Sequence, residues 1–159
     1  MLNIRIFLIA LLTTLATNCF ATEIKAELKD VFIANQTSIF EGNLKTFEAT
    51  TTSDVSIIDE FPPFYWQGKG VGAKYLQDVK NLMIQFKISE FKFDIKDPMF
   101  VQQEKNVAYA VFPITITYKD GDMKIHTEEG YQPAVFKKSK GNKWLIQSTS
   151  WAVTTKVIK

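Results

Sequence analysis

The chain has 159 residues and a formal net charge of +2, with 46% apolar and 13% aromatic side chains. That is one ordinary domain with enough apolar content for a sizeable core, and the charge balance gives no electrostatic case for nucleic acid or anionic lipid as a partner. A single cysteine, Cys19, and a single histidine, His126, exclude an internal disulfide framework, a thiolate metal site and a histidine-cluster metal site, and no motif implies a cofactor.

Residues 1–21 read as a secretory signal peptide. Arg5 gives a positive start, Ile6 to Ala16 form an apolar run too short to span a bilayer comfortably, and "CFA" (Cys19 to Ala21) places small residues where a signal peptidase reads. Cleavage after Ala21 leaves residues 22–159 as a single domain without cysteine. The periplasm or secretion is the expected destination, with no membrane attachment after cleavage. An uncleaved signal anchor is the rival reading, and polar Thr13, Thr14, Thr17 and Asn18 in the run count against it. A lipoprotein site at Cys19 fits poorly with Asn18 before it.

The first element after the signal is helical. Ile24, Leu28, Val31, Phe32 and Ile39 follow one helix face, with Asn35 inside the apolar stripe. Gly42 is the natural left-handed cap, and "NLKTFEATT" then predicts a short second helix with Asn43 as its N-cap. "DVSIIDEF" (Asp54 to Phe61) reads as a strand that Pro62-Pro63 stops. Val71, Tyr75, Leu76, Val79, Leu82, Met83 and Phe86 mark a third amphipathic helix. The preceding G-x-G-x-G spacing lacks the lysine and hydroxyl residue of a phosphate loop. From Ile88 the period changes to two: "ISEFKFDIKD" gives one strand, and Asn106 to Val157 gives three more, joined by turns at "KDGD" and "SKGN". Helices first and strands later argue an α+β fold in which a curved antiparallel sheet wraps about three N-terminal helices.

This order, together with "EGNLKTF", "DVSIIDEFPPFYWQGKG" and "WLIQSTSW", resembles the nuclear transport factor 2-like superfamily, whose cone-shaped domains include SnoaL-like cyclases and ketosteroid isomerases. The resemblance covers essentially all of residues 22–159. It implies a cone with a pocket inside. The ketosteroid isomerases' catalytic aspartate falls on Asp59. Their oxyanion-hole tyrosine and protonated acid fall on Asn35 and Gln132, and their last-strand aromatic on Trp151. The base position is thus kept, while both oxyanion donors become amides, which donate more weakly.

Asp59 has two readings. Walled by Phe61 and Trp66 it would lose solvation, and its proton affinity would move toward the range of a general base. Alternatively it caps the turn at the end of a strand. Glu60, by strand alternation, is expected on the opposite, solvated face. Asn35, a polar amide in a buried stripe, needs partners. It faces either a pocket or a neighbouring carbonyl. His126 shares strand parity with Gln132 if no bulge intervenes. Paired with Asp59 it would complete an acid–base dyad, as in some dehydratases of the superfamily. The bland reading is solvent exposure beside Lys124 and Glu128. Tyr65, Trp66, Trp144 and Trp151 are core or rim aromatics as readily as ligand contacts. Trp151 is the best pocket candidate among them, and Tyr131 is a further candidate for the same cavity.

Two functions fit. One is an exported pocket protein for a small apolar or aromatic molecule, with or without Asp59-dependent isomerase, dehydratase or cyclase chemistry. The other is a non-enzymatic binding or assembly module of the bacterial envelope. A cavity holding Asp59 favours the first, and a cone filled by Phe and Trp side chains favours the second. A homodimer through the sheet is also expected, because "NVAYAVFPITITY" is apolar on both faces for most of its length, and a two-fold partner would cover the outer one.

Overall fold

The computed structural model describes residues 23–159, so the expected signal segment and its cleavage site lie outside the described residues. Helix α1 covers residues 23–41, and it turns Leu28, Phe32 and Ile39 into the core as the apolar stripe requires. Gly42, at φ 64°, takes the left-handed conformation that ends it. Helix α2 (Leu44–Thr50) follows directly. Asn43 caps it as expected, its side chain accepting the Thr46 amide at 3.1 Å.

Strand β1 (Thr51–Ile58) begins where α2 ends and stops before Asp59, earlier at both ends than the Asp54–Phe61 strand read from sequence. Thr51 is buried as the helix closes. Its hydroxyl donates to the Phe47 carbonyl at 2.9 Å, so helix end and strand start share one residue. Strand β2 (Tyr65–Trp66) doubles back antiparallel on Ile57 and Ile58. Helix α3 (Val71–Gln85) then packs Val71, Tyr75, Leu76 and Val79 inward.

The remaining chain forms strands β3 (Ser89–Ile95), β4 (Phe100–Glu104), β5 (Val107–Lys119), β6 (Ile125–Lys138), β7 (Trp144–Ser150) and β8 (Ala152–Ile158). The frame is the long β5–β6 hairpin, whose register runs unbroken from Val107↔Lys137 to Lys119↔Ile125. Each of its outer edges is shared by two shorter strands. On β5, β4 covers Val107–Val111 and β3 covers Ile114–Lys119. On β6, β7 covers Ala134–Lys138 and β8 covers His126–Tyr131. The last strand read from sequence is therefore two, broken at Trp151, and β4 was not anticipated at all. Pairings are antiparallel except β1 on β7, which is parallel, so the sheet is mixed.

Even-numbered side chains of β5, from Ala108 to Ile114, are buried against the helices, and the Phe32 and Phe112 rings stack at 4.1 Å. The odd-numbered side chains point outward. Val107 and Tyr109 are exposed, and Tyr109 meets the exposed Phe100 edge-on at 6.0 Å. No helix of the described residues is long and apolar enough to cross a membrane.

Candidate acid–base cavity

Helices α1 and α3 stand off the curved sheet at one end and leave a cavity of about 430 Å³, within the range of small-molecule pockets. Its apolar lining is Ile39 and Phe40 from α1, Val79, Leu82, Met83 and Phe86 along α3, and Ile88, Phe91 and Ile116 toward the sheet. Its polar lining gathers at the loop after β1, the β5–β6 turn, the inward face of β6 and β8.

The loop after β1 explains why carboxylates sit beside aromatics. Past Ile58 the chain leaves the sheet, and the Asp59 amide donates to the Phe64 carbonyl at 3.1 Å while the Phe64 amide donates to Phe61 at 2.8 Å. Phe61, Trp66 and Tyr75 pack into one aromatic wall, with Trp66 lying 5.0 Å from each of the other two rings. Asp59 projects from this wall. Its Oδ2 accepts the Tyr75 hydroxyl at 2.5 Å, and its Oδ1 accepts the Glu60 amide at 2.7 Å. Burial raises the Asp59 proton affinity above the ordinary carboxylate value, and these two donors only partly offset it. Burial and the adjacent carboxylate hold the Tyr75 hydroxyl protonated to still higher pH.

Glu60 does not point away. Strand alternation ends at Ile58, so Asp59 and Glu60 both line the cavity. Partial burial, and next the neighbouring Glu128, push Glu60 up to about 7, and the two carboxyls share a hydrogen bond. Burial also works against the charge on Glu128. The Lys156 ammonium, at 2.5 Å, and the Tyr118 hydroxyl, at 2.9 Å, outweigh it and hold Glu128 ionised below its usual range.

His126 lies inside the cavity rather than in solvent, its side chain 12% exposed. Its carboxylate partner is Asp120, not Asp59: His126 Nε2 is 2.8 Å from Asp120 Oδ2, and the ring stacks on Tyr118 at 4.8 Å. The His126 hydrogen bond holds Asp120 below the ordinary carboxylate range. The other Asp120 oxygen accepts the amides of Asp122 and Lys124, so one side chain closes the hairpin turn and orients the imidazole.

Of the residues singled out from sequence, Asp59, Phe61, His126, Gln132 and Trp151 line this cavity together. Asn35 does not. It is buried on the neighbouring face of α1, and its amide donates to the Thr50 hydroxyl at 3.0 Å. The next residue, Gln36, faces the cavity instead. Trp66 belongs to the aromatic wall but does not reach the cavity; it is buried, donating to Asp78 at 2.8 Å. Tyr131 is exposed on the outer face, because it alternates with inward Gln132. The Gln132 amide is also engaged, donating to Thr149 at 3.0 Å. Sequence reasoning missed Gln36, Glu60, Asp120, Glu128 and Lys156. Among the described residues no cluster of three or more His, Cys, Asp or Glu side chains is arranged to hold a metal ion.

No protein-family model and no curated protein matches the chain by sequence. Solved structures do match by fold. A hexachlorocyclohexane dehydrochlorinase superposes with a TM-score of 0.73 at 7% identity, covering 89% of this chain and 93% of that one. A nuclear transport factor 2-like superfamily protein from Salmonella enterica gives 0.68 at 17%, covering 85% and 94%. A ketosteroid isomerase-like protein from Erwinia carotovora gives 0.61 at 16%, covering 82% and 95%. The protein has the nuclear transport factor 2-like cone fold, the architecture its element order resembles.

Proposed function

We propose that this is an exported protein that binds a small apolar or aromatic molecule in the cone, with Asp59 acting on it as acid or base. The observation that supports this most is Asp59 itself: a carboxyl of raised proton affinity, held by Tyr75, opening onto a largely apolar cavity. Isomerisation, dehydration or cyclisation all need such a group. The similar solved structures named as a dehydrochlorinase and a ketosteroid isomerase-like protein make elimination and isomerisation reasonable reactions to screen. The steroid-isomerase arrangement itself has little support, since the Asn35 and Gln132 amides are spent on Thr50 and Thr149. His126, oriented by Asp120, is the partner acid or base.

Tryptophan fluorescence tests the binding step, because Trp151 lines the cavity. Phenethyl alcohol, a neutral aromatic probe, should quench saturably, and Val79→Trp, which fills the cavity, should abolish the effect in a folded protein. Unchanged binding in that variant would refute the cavity as the site.

We also propose that the outer face of β5 is a homodimer contact. The supporting observation is the exposed apolar set Phe100, Val107, Tyr109 and Tyr131 on one side of the sheet. An assembly role in the envelope would use the same face.

A further inference from the structure

We propose that the cavity selects a protonated amine on an apolar body, one that also carries an acceptor oxygen, and rejects carboxylates and phosphates of the same shape. The inference rests on the cavity-ligand reading above and adds the ligand's charge and polar group. Four carboxylates line the cavity: Asp59, Glu60, Asp120 and Glu128. The lining offers one ammonium, Lys156, already paired with Glu128 at 2.5 Å. The other basic group, His126, is taken by Asp120 at 2.8 Å. The Tyr75 and Tyr118 hydroxyls donate to Asp59 and Glu128 and are committed as well. An anion entering this space meets surplus negative charge and no uncommitted cation. A cation supplies what the lining lacks.

Two buried nitrogens give the second, independent observation. Gln36 is only 7% exposed, lines the cavity, and its Nε2 has no partner among the described residues. Buried polar groups are normally satisfied, and a rotation of this cavity-lining side chain would offer its unpaired donor to an acceptor on whatever fills the space. The Nδ1 of His126 is also buried, without a partner among the described residues. With Nε2–H donating to Asp120, the neutral ring presents Nδ1 as an acceptor. An ammonium has three N–H donors, and the Glu60 and Glu128 carboxyls that line the cavity supply acceptors for them. The proton those two carboxyls share is then replaced by the ligand's charge.

Three probes with one aromatic body separate the possibilities: phenethylamine, phenethyl alcohol and phenylacetate, titrated calorimetrically into the protein at about pH 7.5 and low salt. The amine should bind at least about tenfold more tightly than the alcohol, and phenylacetate most weakly. Glu60→Gln should shrink the amine's advantage over the alcohol to roughly threefold or less. Phenylethanolamine, which adds an oxygen, should bind more tightly than phenethylamine, and Gln36→Leu should remove that gain. Alcohol or phenylacetate binding as tightly as the amine would overturn this inference and leave the cavity reading standing. An amine preference unchanged by Glu60→Gln, or a phenylethanolamine gain unchanged by Gln36→Leu, would overturn the assigned contacts. Binding of none of the probes would overturn both readings.

Discussion

Glu60→Gln should stabilise the protein at alkaline pH and leave it unchanged in acid. Glu60 is held at about 7 in the folded protein against an ordinary value of 4.5. Between those two values the folded chain holds more protons at this site than the unfolded chain, so stability falls as pH rises through the window. Above about 7 the folded protein carries the whole cost of the charge. Each pKa unit corresponds to about 1.4 kcal/mol. Glu60 sits at an exposed rim, where solvent screening reduces the effect to about 1–2 kcal/mol. Glutamine is neutral throughout, and its amide can donate to Glu128 as the protonated acid does. Thermal unfolding followed by circular dichroism should therefore show a Tm about 3–6 °C above wild type at about pH 8, shrinking to nothing near pH 4.5. Asp120, whose proton affinity is lowered, contributes stability that is lost as pH falls, but it does so in both proteins and cancels in the difference. A gain of equal size at both pH values, or a loss at pH 8, would refute the account of a carboxyl pair sharing a proton.

Asp59→Asn keeps an acceptor for Tyr75 and removes a charge that burial disfavours, so the fold should survive with Tm within a few degrees while any acid–base turnover is lost. A large drop in Tm without loss of ligand binding would make Asp59 a structural cap instead. Tyr75→Phe removes a buried hydroxyl bond and should cost about 1–2 kcal/mol. It should also raise the Asp59 proton affinity further, since one of the two donors opposing that rise is gone; a carbon-detected NMR titration of Asp59 reads the direction, and a downward shift would contradict it. Tyr109→Glu should convert the proposed homodimer to monomers in light scattering, and a wild-type monomer at micromolar concentration would end that proposal.

The elements were legible in sequence wherever one periodicity ruled. The stripe from Leu28 to Ile39 gave α1, the alternation of Ala108, Ala110 and Phe112 gave the inner face of β5, and Asn43 marked a cap that forms as expected. The cavity was half legible. Asp59 and His126 were visible because aromatic neighbours and strand parity are local properties. Asn35 was chosen because it lies inside the apolar stripe and at the family's oxyanion-hole position, and its neighbour Gln36 was passed over. One residue is a 100° rotation on a helix, and only the packing of α1 on the sheet decides which amide meets the opening. Glu60 was misplaced because strand alternation was extended past Ile58, where β1 stops. Asp120 looked like a turn residue, and it is one; nothing local says that its second oxygen reaches His126. Glu128 and Lys156 were out of reach for a different reason. Their pairing depends on the register of β8 on β6, and that register follows from a break in the last strand.

That break leads to a final prediction, on Gly130→Ala. Gly130 is buried on β6 and pairs with Val153, just past the β7–β8 junction. A Cβ there would lie 2.3 Å from the Ala152 carbonyl oxygen and 2.7 Å from Cη2 of Trp151. Real Cβ atoms do not approach backbone oxygen so closely, so β8 must move. The missing side chain leaves room for the chain to bend at Trp151, with the Trp151 amide donating to Ile58 at 3.0 Å, and to continue along the same edge of β6 as β8. Continuing there sets Lys156 directly opposite Glu128. A single methyl group should therefore cost about 1–3 kcal/mol as overpacking, and it should also weaken the Lys156 contact that keeps Glu128 ionised. Chemical denaturation measures the first effect, and an NMR titration showing Glu128 taking up its proton at higher pH measures the second. If Gly130→Ala is destabilised but the Glu128 titration is unmoved, the glycine serves packing alone, and the link from strand break to charged cavity is wrong.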